Sequence, residues 1–182
     1  MDKNTKFGYW VKVAPIAGFR LEGKFTRPEF VGKVETPENL DNLSIGQLID
    51  LSSLSDTNES LYVVVQTILG LKRKEIDKAR AFDVVRFVGW VSGEVERINK
   101  IFESTNTKPT AREKKAGIEQ LNFGLFGMLD WYAKRMGIQD HDQVLSTPWL
   151  RIYKCMEMDN KRSVYERNLQ KLQAEEMKRK SR

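Results

Sequence analysis

The sequence predicts a mainly α protein: a compact helical bundle with an irregular, aromatic-rich N-terminal arm and a long C-terminal helix. Three observations lead there. From Ser44 onward, apolar residues recur every three or four positions, the spacing that gathers them on one helix face. These stretches are bounded by Ser, Thr, Asp and Gly, residue types that satisfy or stop helix ends. Of the five prolines, Pro15, Pro28 and Pro37 crowd the first 40 residues, while Pro109 and Pro148 sit at helix boundaries. A chain of 182 residues, 40% hydrophobic and 31% charged, suits one globular body with extended ends.

The first 40 residues also hold glycines at 8, 18, 23 and 32 and show no sustained helical period. They read as an arm in which residues 8–13 and 19–21 form short strands. Such strands are marginal unless they pack on the body or on a neighbouring chain. Six of the 18 aromatic residues fall here: Phe7, Tyr9, Trp10, Phe19, Phe25 and Phe30. Flexible linkers are poor in aromatics, so these rings need burial.

Ser44 and Gln47 form a capping box for a short helix to about residue 54. Asp56, Thr57 or Asn58 then caps a helix over 59–69, apolar on more than one side and stopped by Gly70. A short polar helix covers 72–79. Asp83 is the expected cap of a long helix over 84–103, with Val84, Val88, Val91, Val95, Ile98 and Phe102 as its stripe. Thr110 and Glu113 make a second capping box. The helix after it should run to Arg135, breaking near Gly117, with Gly124 and Gly127 allowing close helix approach. Gly137 suits a left-handed stop, with Ile138 folded back over the last turn. Asp140 and Gln143 box a single turn, and Thr147-Pro148 opens a helix of about 33 residues, roughly 50 Å at 1.5 Å per residue. Trp149, Leu150, Ile152, Tyr153 and Met156 give its first half a face for burial, whereas Val164, Tyr165, Leu169, Leu172 and Met177 leave its second half a thin stripe. The resulting division is an arm over 1–40, a body over 41–160 and a basic extension over 161–182.

The formal charge is +6, and residues 161–182 hold eight basic against three acidic groups, leaving the rest near neutral. Lys178, Arg179, Lys180 and Arg182 form a basic tail that can seek nucleic acid, an acidic protein surface or water. Interleaved Glu166, Glu175 and Glu176 oppose a dedicated phosphate-binding role. One cysteine, Cys155, excludes an internal disulfide and any cysteine-based metal cage. No phosphate-cradling glycine loop, calcium loop or paired-cysteine zinc motif is present. His141, between Asp140 and Asp142, reads as part of a polar turn, and Cys155 as a buried structural thiol. Glu94 and Asp130 are expected to pair with Arg97 or Arg135. The expectation is therefore of no catalytic residue, no cofactor and no metal. No run approaches the ~20 apolar residues that span a bilayer, and the N-terminus resembles no signal peptide, so the cytoplasm is the expected compartment, with no membrane partner.

The stretch Leu43-Ser44-Ile45-Gly46-Gln47-Leu48-Ile49-Asp50-Leu51, the helical unit ending near Ala79, and the stretch from Phe126 through Asp130-Trp131-Tyr132 to Gly137-Ile138 carry a resemblance. They resemble small helical head-to-tail connector and tail-assembly proteins of tailed bacteriophages, including short-tailed phages of Bacteroidetes hosts. The resemblance spans about residues 43–180 and implies no catalytic residues. It implies a non-enzymatic virion structural protein, a connector or tail ring subunit, forming a homo-oligomer that meets neighbouring portal or tail proteins. In that reading Trp10, Phe19, Phe25 and Phe30 anchor the arm in neighbours' grooves, and Val164, Tyr165, Leu169 and Leu172 dock the C-terminal helix. Deleting residues 1–35 should then leave a folded monomer unable to assemble. One alternative is a tail-assembly chaperone absent from the mature particle, and another is a nucleic-acid-binding protein using the basic tail.

Overall fold

In the computed structural model the protein is mainly α: among the described residues, helices predominate and a single small sheet has two strands. The structure describes residues 4–13, 25–55, 57–105, 109–121 and 123–180. The chain divides into two compact units, 1–100 and 101–182. This boundary cuts near the end of the long central helix and differs from the arm, body and extension expected.

The first unit begins with a correction. Phe7–Val13 is a helix, α1, and not a strand. The backbone on either side of α1's start is tied down: the Phe7 N–H donates to Ala79 O at 3.0 Å, and the Ala81 N–H donates to Thr5 O at 2.8 Å. So pinned, α1 turns Phe7 inward, where its ring stacks on Trp10 (5.8 Å) and meets the edge of Tyr62 (5.1 Å). Gly8 permits this approach, because a Cβ there would lie 2.8 Å from Asp77 Oδ1. The expected strand at 19–21 lies outside the described residues. The observed strands are β1, Phe30–Val31, and β2, Val34–Glu35, an antiparallel hairpin pairing Val31 with Val34 across Gly32, whose φ is 65°. Thr36 closes it: its hydroxyl donates to Pro28 O, and its carbonyl accepts from Arg27 at 2.6 Å.

Helix α2, Ile45–Ser52, carries the expected Ser44–Gln47 capping box, with reciprocal bonds of 3.1 and 3.0 Å. Thr57 caps α3, Asn58–Leu69, and Gly70 ends it at φ 66°. Helix α4, Arg73–Lys78, packs against α1 and α3. Helix α5, Ala81–Glu103, starts two residues before the expected cap. Asp83 sits inside its first turn, nearly buried and paired with Arg80 Nε at 2.7 Å, because the bond from Ala81 to Thr5 already fixes where the helix begins. Val84, Val88, Val91, Val95 and Ile98 are buried as the period required, and Glu94 pairs with Arg97 at 2.8 Å.

In the second unit, α6, Ala111–Lys115, has the Thr110–Glu113 box and stops at Gly117, φ 83°. A 3₁₀ turn, Ile118–Leu121, follows, and α7, Gly124–Met136, starts afresh. Gly124 is therefore a correction. It has φ 54° and nothing near its Cβ position, so it serves a turn and not helix packing; Gly127 is close-packed, but against Phe123 of the same segment. Gly137 closes α7 with φ 66°, and the Ile138 N–H donates to Ala133 O at 2.9 Å, the fold-back expected. Asp140 caps α8, His141–Leu145, by accepting from the Asp142 N–H at 2.9 Å, without the box to Gln143.

Helix α9, Trp149–Lys180, is 32 residues long. Trp149 and Ile152 are buried, and the Phe102 and Tyr153 rings lie 5.9 and 6.4 Å from Trp149. Further along, Asp159 pairs with Arg135, and the Asn160 amide donates to Thr105 O. Asp130 takes Lys134 at 2.7 Å, leaving Arg135 to Asp159, and Cys155 is half-buried where full burial was expected. From Lys161 to Lys180 every residue except Arg167 is exposed.

Candidate protein-docking surfaces

Two of the residues expected to anchor an arm in a neighbour are used by the chain itself. Trp10 is 9% exposed, held against Phe7. The half-buried Phe25 ring fills the space where a Cβ on Gly89 of α5 would stand. Both correct the expectation, and for one reason: with α1 pinned to the α4–α5 junction and Gly89 presenting bare backbone, the rings find burial inside the first unit. Phe19 lies outside the described residues. Phe30 is exposed, beside a groove of about 570 Å³ rimmed by Lys6, Lys33 and Lys78.

A second groove in this unit, about 350 Å³, has a floor of Leu51, Leu61, Val64, Val88, Val91 and Val95. Ser52, Ser55, Thr57, Ser60, Ser92 and Asn99 supply hydroxyl and amide groups at its edge. Among the described residues Glu96 is its one charged lining residue, and the bond from Lys100 at 2.6 Å holds that carboxyl below its usual range. The groove can hold an extended or helical apolar segment and bond its polar edges.

The second unit carries the more concentrated apolar surface. Leu121, Phe123 and Phe126 are 65%, 64% and 62% exposed, and Leu125 is exposed with them. The turn at Gly124 separates Leu121 and Phe123 from the helical phase of α7, whose first turn carries Leu125 and Phe126. Beside them lies a groove of about 380 Å³ in which Phe123, Met128 and Trp131 face Met156 and Asp159 of α9. The Arg135 guanidinium lies 5.9 Å over the Trp131 ring while pairing with Asp159, so one cation fixes both the aromatic floor and the acidic edge. Phe126 meets His141 edge-on at 5.2 Å. The sequence reading carried Leu125 and Phe126 within the helix expected to run to Arg135 and did not single out Phe123. The available signal was that apolar residues at 118–132 surround more of the helix than one buried stripe requires.

Val164, Tyr165, Leu169 and Leu172 are all exposed on α9, as are Lys178, Arg179 and Lys180; Arg182 lies outside the described residues. Among the described residues, no group of three or more His, Cys, Asp or Glu side chains is placed to hold a metal ion. Among them, too, no helix is long and apolar enough to cross a membrane. Compared with protein-family models, with curated proteins and with solved structures, the chain gives no significant match.

Proposed function

We propose that this is a non-enzymatic assembly protein of a tailed phage that acts by binding another protein chain, in the manner of a tail-assembly chaperone. The phage assignment rests on the resemblance of residues 43–180. The mode of action rests on one observation: the N-terminal rings Phe7, Trp10 and Phe25 are spent within the first unit, while Leu121, Phe123, Leu125 and Phe126 stand exposed on the second. A ring subunit working by arm exchange needs the opposite allocation. A chaperone needs an apolar surface on a folded scaffold, available to a client before the client polymerises.

The client in this reading is an apolar segment of a tail structural protein, received on the surface around Phe123 and Phe126. Affinity capture from producing cells, followed by mass spectrometry of purified particles, tests it. The chain should be recovered with a tail protein before assembly and be missing from finished particles. Stoichiometric presence in the particle would overturn the chaperone role and return the connector or tail ring subunit.

A further inference from the structure

We propose that the projecting half of α9 pairs antiparallel with the same helix of a second copy of this chain. The apolar stripe there comprises Met158, Tyr165, Leu169 and Leu172, spaced seven, four and three residues apart and all exposed. At the roughly 3.5 residues per turn of paired helices these fall on one face of the helix. The stripe is narrow, so flanking charges decide its partner and orientation.

Those charges are arranged in two blocks. Lys161 and Arg162 flank the stripe at one end, one on each side, and Glu175 and Glu176 flank it at the other. A parallel pair would set each block against itself. An antiparallel pair, with its two-fold axis beside residues 168 and 169, sets Lys161 against Glu175 of the second copy on one side of the seam. Arg162 then meets Glu176 of the second copy on the other side, and symmetry doubles both contacts. The same axis places Tyr165 against Leu172 of the second copy, with Leu169 near the centre. One register thus satisfies the apolar stripe and all four charges, which is the argument for a second copy over an unrelated helix. Lys161, which reaches Glu157 of its own helix at 2.9 Å, can serve both carboxylates. The inference is independent of the chaperone reading, since it needs only the exposed helix.

Sedimentation of the full chain across a concentration series should show a monomer–dimer equilibrium. Lys161→Glu with Arg162→Glu, and separately Glu175→Lys with Glu176→Lys, should each weaken it about thirty-fold, because four exposed pairs are reversed at roughly two- to three-fold each. Mixing the two variants should restore wild-type association, as all four contacts become attractive again between unlike chains. In a Cys155→Ser background, Arg162→Cys chains should crosslink to Glu176→Cys chains on mild oxidation, and neither to itself. A chain that stays monomeric, a dimer indifferent to both reversals, or self-crosslinking of Arg162→Cys would overturn the proposal.

Discussion

Phe7→Ala decides whether the N-terminal segment is an arm or part of the fold. Phe7 is fully buried, stacked on Trp10, edge-on to Tyr62, and carried by a helix whose start is bonded to Ala79. Truncating a core phenylalanine removes about 3–5 kcal/mol, which includes lost transfer energy and the cavity left behind. A unit of this size is stable by about 5–15 kcal/mol, so the change consumes a large fraction of the total. At about 4–8 °C per kcal/mol, a loss near 4 kcal/mol lowers the melting transition of the first unit by about 15–30 °C. The matched control is Tyr9→Ala, two residues away on the same helix but 65% exposed, which should stay within about 0.5 kcal/mol of wild type. Thermal and urea unfolding followed by circular dichroism measure both. A Phe7→Ala chain losing under about 1 kcal/mol, no more than Tyr9→Ala, would refute the placement of α1 and restore a dispensable arm. By the same reasoning, deleting residues 1–35 should unfold the first unit and not merely prevent assembly.

Gly89→Ala should destabilise the chain although alanine gains about 1 kcal/mol of helix propensity, because the methyl displaces the Phe25 ring; in a Phe25→Ala background the same change should stabilise by about that 1 kcal/mol. Urea denaturation of the four chains of the cycle reads the sign. Tyr62 donates to Asp77 at 2.6 Å, and its phenol is pushed up to about 12, first by burial and then by this bond. A raised acid group stabilises the fold fully below its unfolded value near 10 and loses that contribution as pH rises from about 10 through about 12. Unfolding titrations should show this alkaline loss in wild type and a shallower one in Tyr62→Phe. Phe123→Ser with Phe126→Ser should leave the melting transition within about 1 kcal/mol, since both rings are already in water, yet abolish recovery of the tail protein in affinity capture; retained capture counts against the proposed surface.

What could be read from the chain in advance was what local chemistry decides. Ser44 with Gln47, Thr110 with Glu113, and the stops at Gly70 and Gly137 needed only a few residues of context, and each appears in its expected place. The stripe of α5 was legible because its apolar residues keep period over five turns. Long-range contacts were not legible. Residues 7–13 are β-branched and aromatic in strand-like fashion, but the bonds from Phe7 to Ala79 and from Ala81 to Thr5 join segments some 70 positions apart and select a helix. The same bonds moved the start of α5 ahead of Asp83. At the candidate surface, the difference between a packing glycine and a turning one lay in φ alone. Gly124 reads identically in either role, and with it went the exposure of Phe123.

The two surfaces of the second unit differ in kind, and the difference bears on how the protein would work. The surface at 121–126 is apolar with little charge, and exposed aromatic groups on a folded scaffold accept many apolar sequences at modest cost in order. The seam on α9 is the reverse: four apolar residues set among alternating charge blocks, a pattern that specifies one partner and one orientation at little gain in affinity. A protein that must release its client gains from keeping these apart. A dimer held by screened surface charges would present two client surfaces without sealing either, and raising the salt would dissolve the dimer while strengthening the apolar capture. Measured on the same sample, association of the chain with itself should fall with salt as client binding holds or rises. If both fell together, one surface would be serving both purposes, and the separation argued from residues 121–126 and 158–176 would fail.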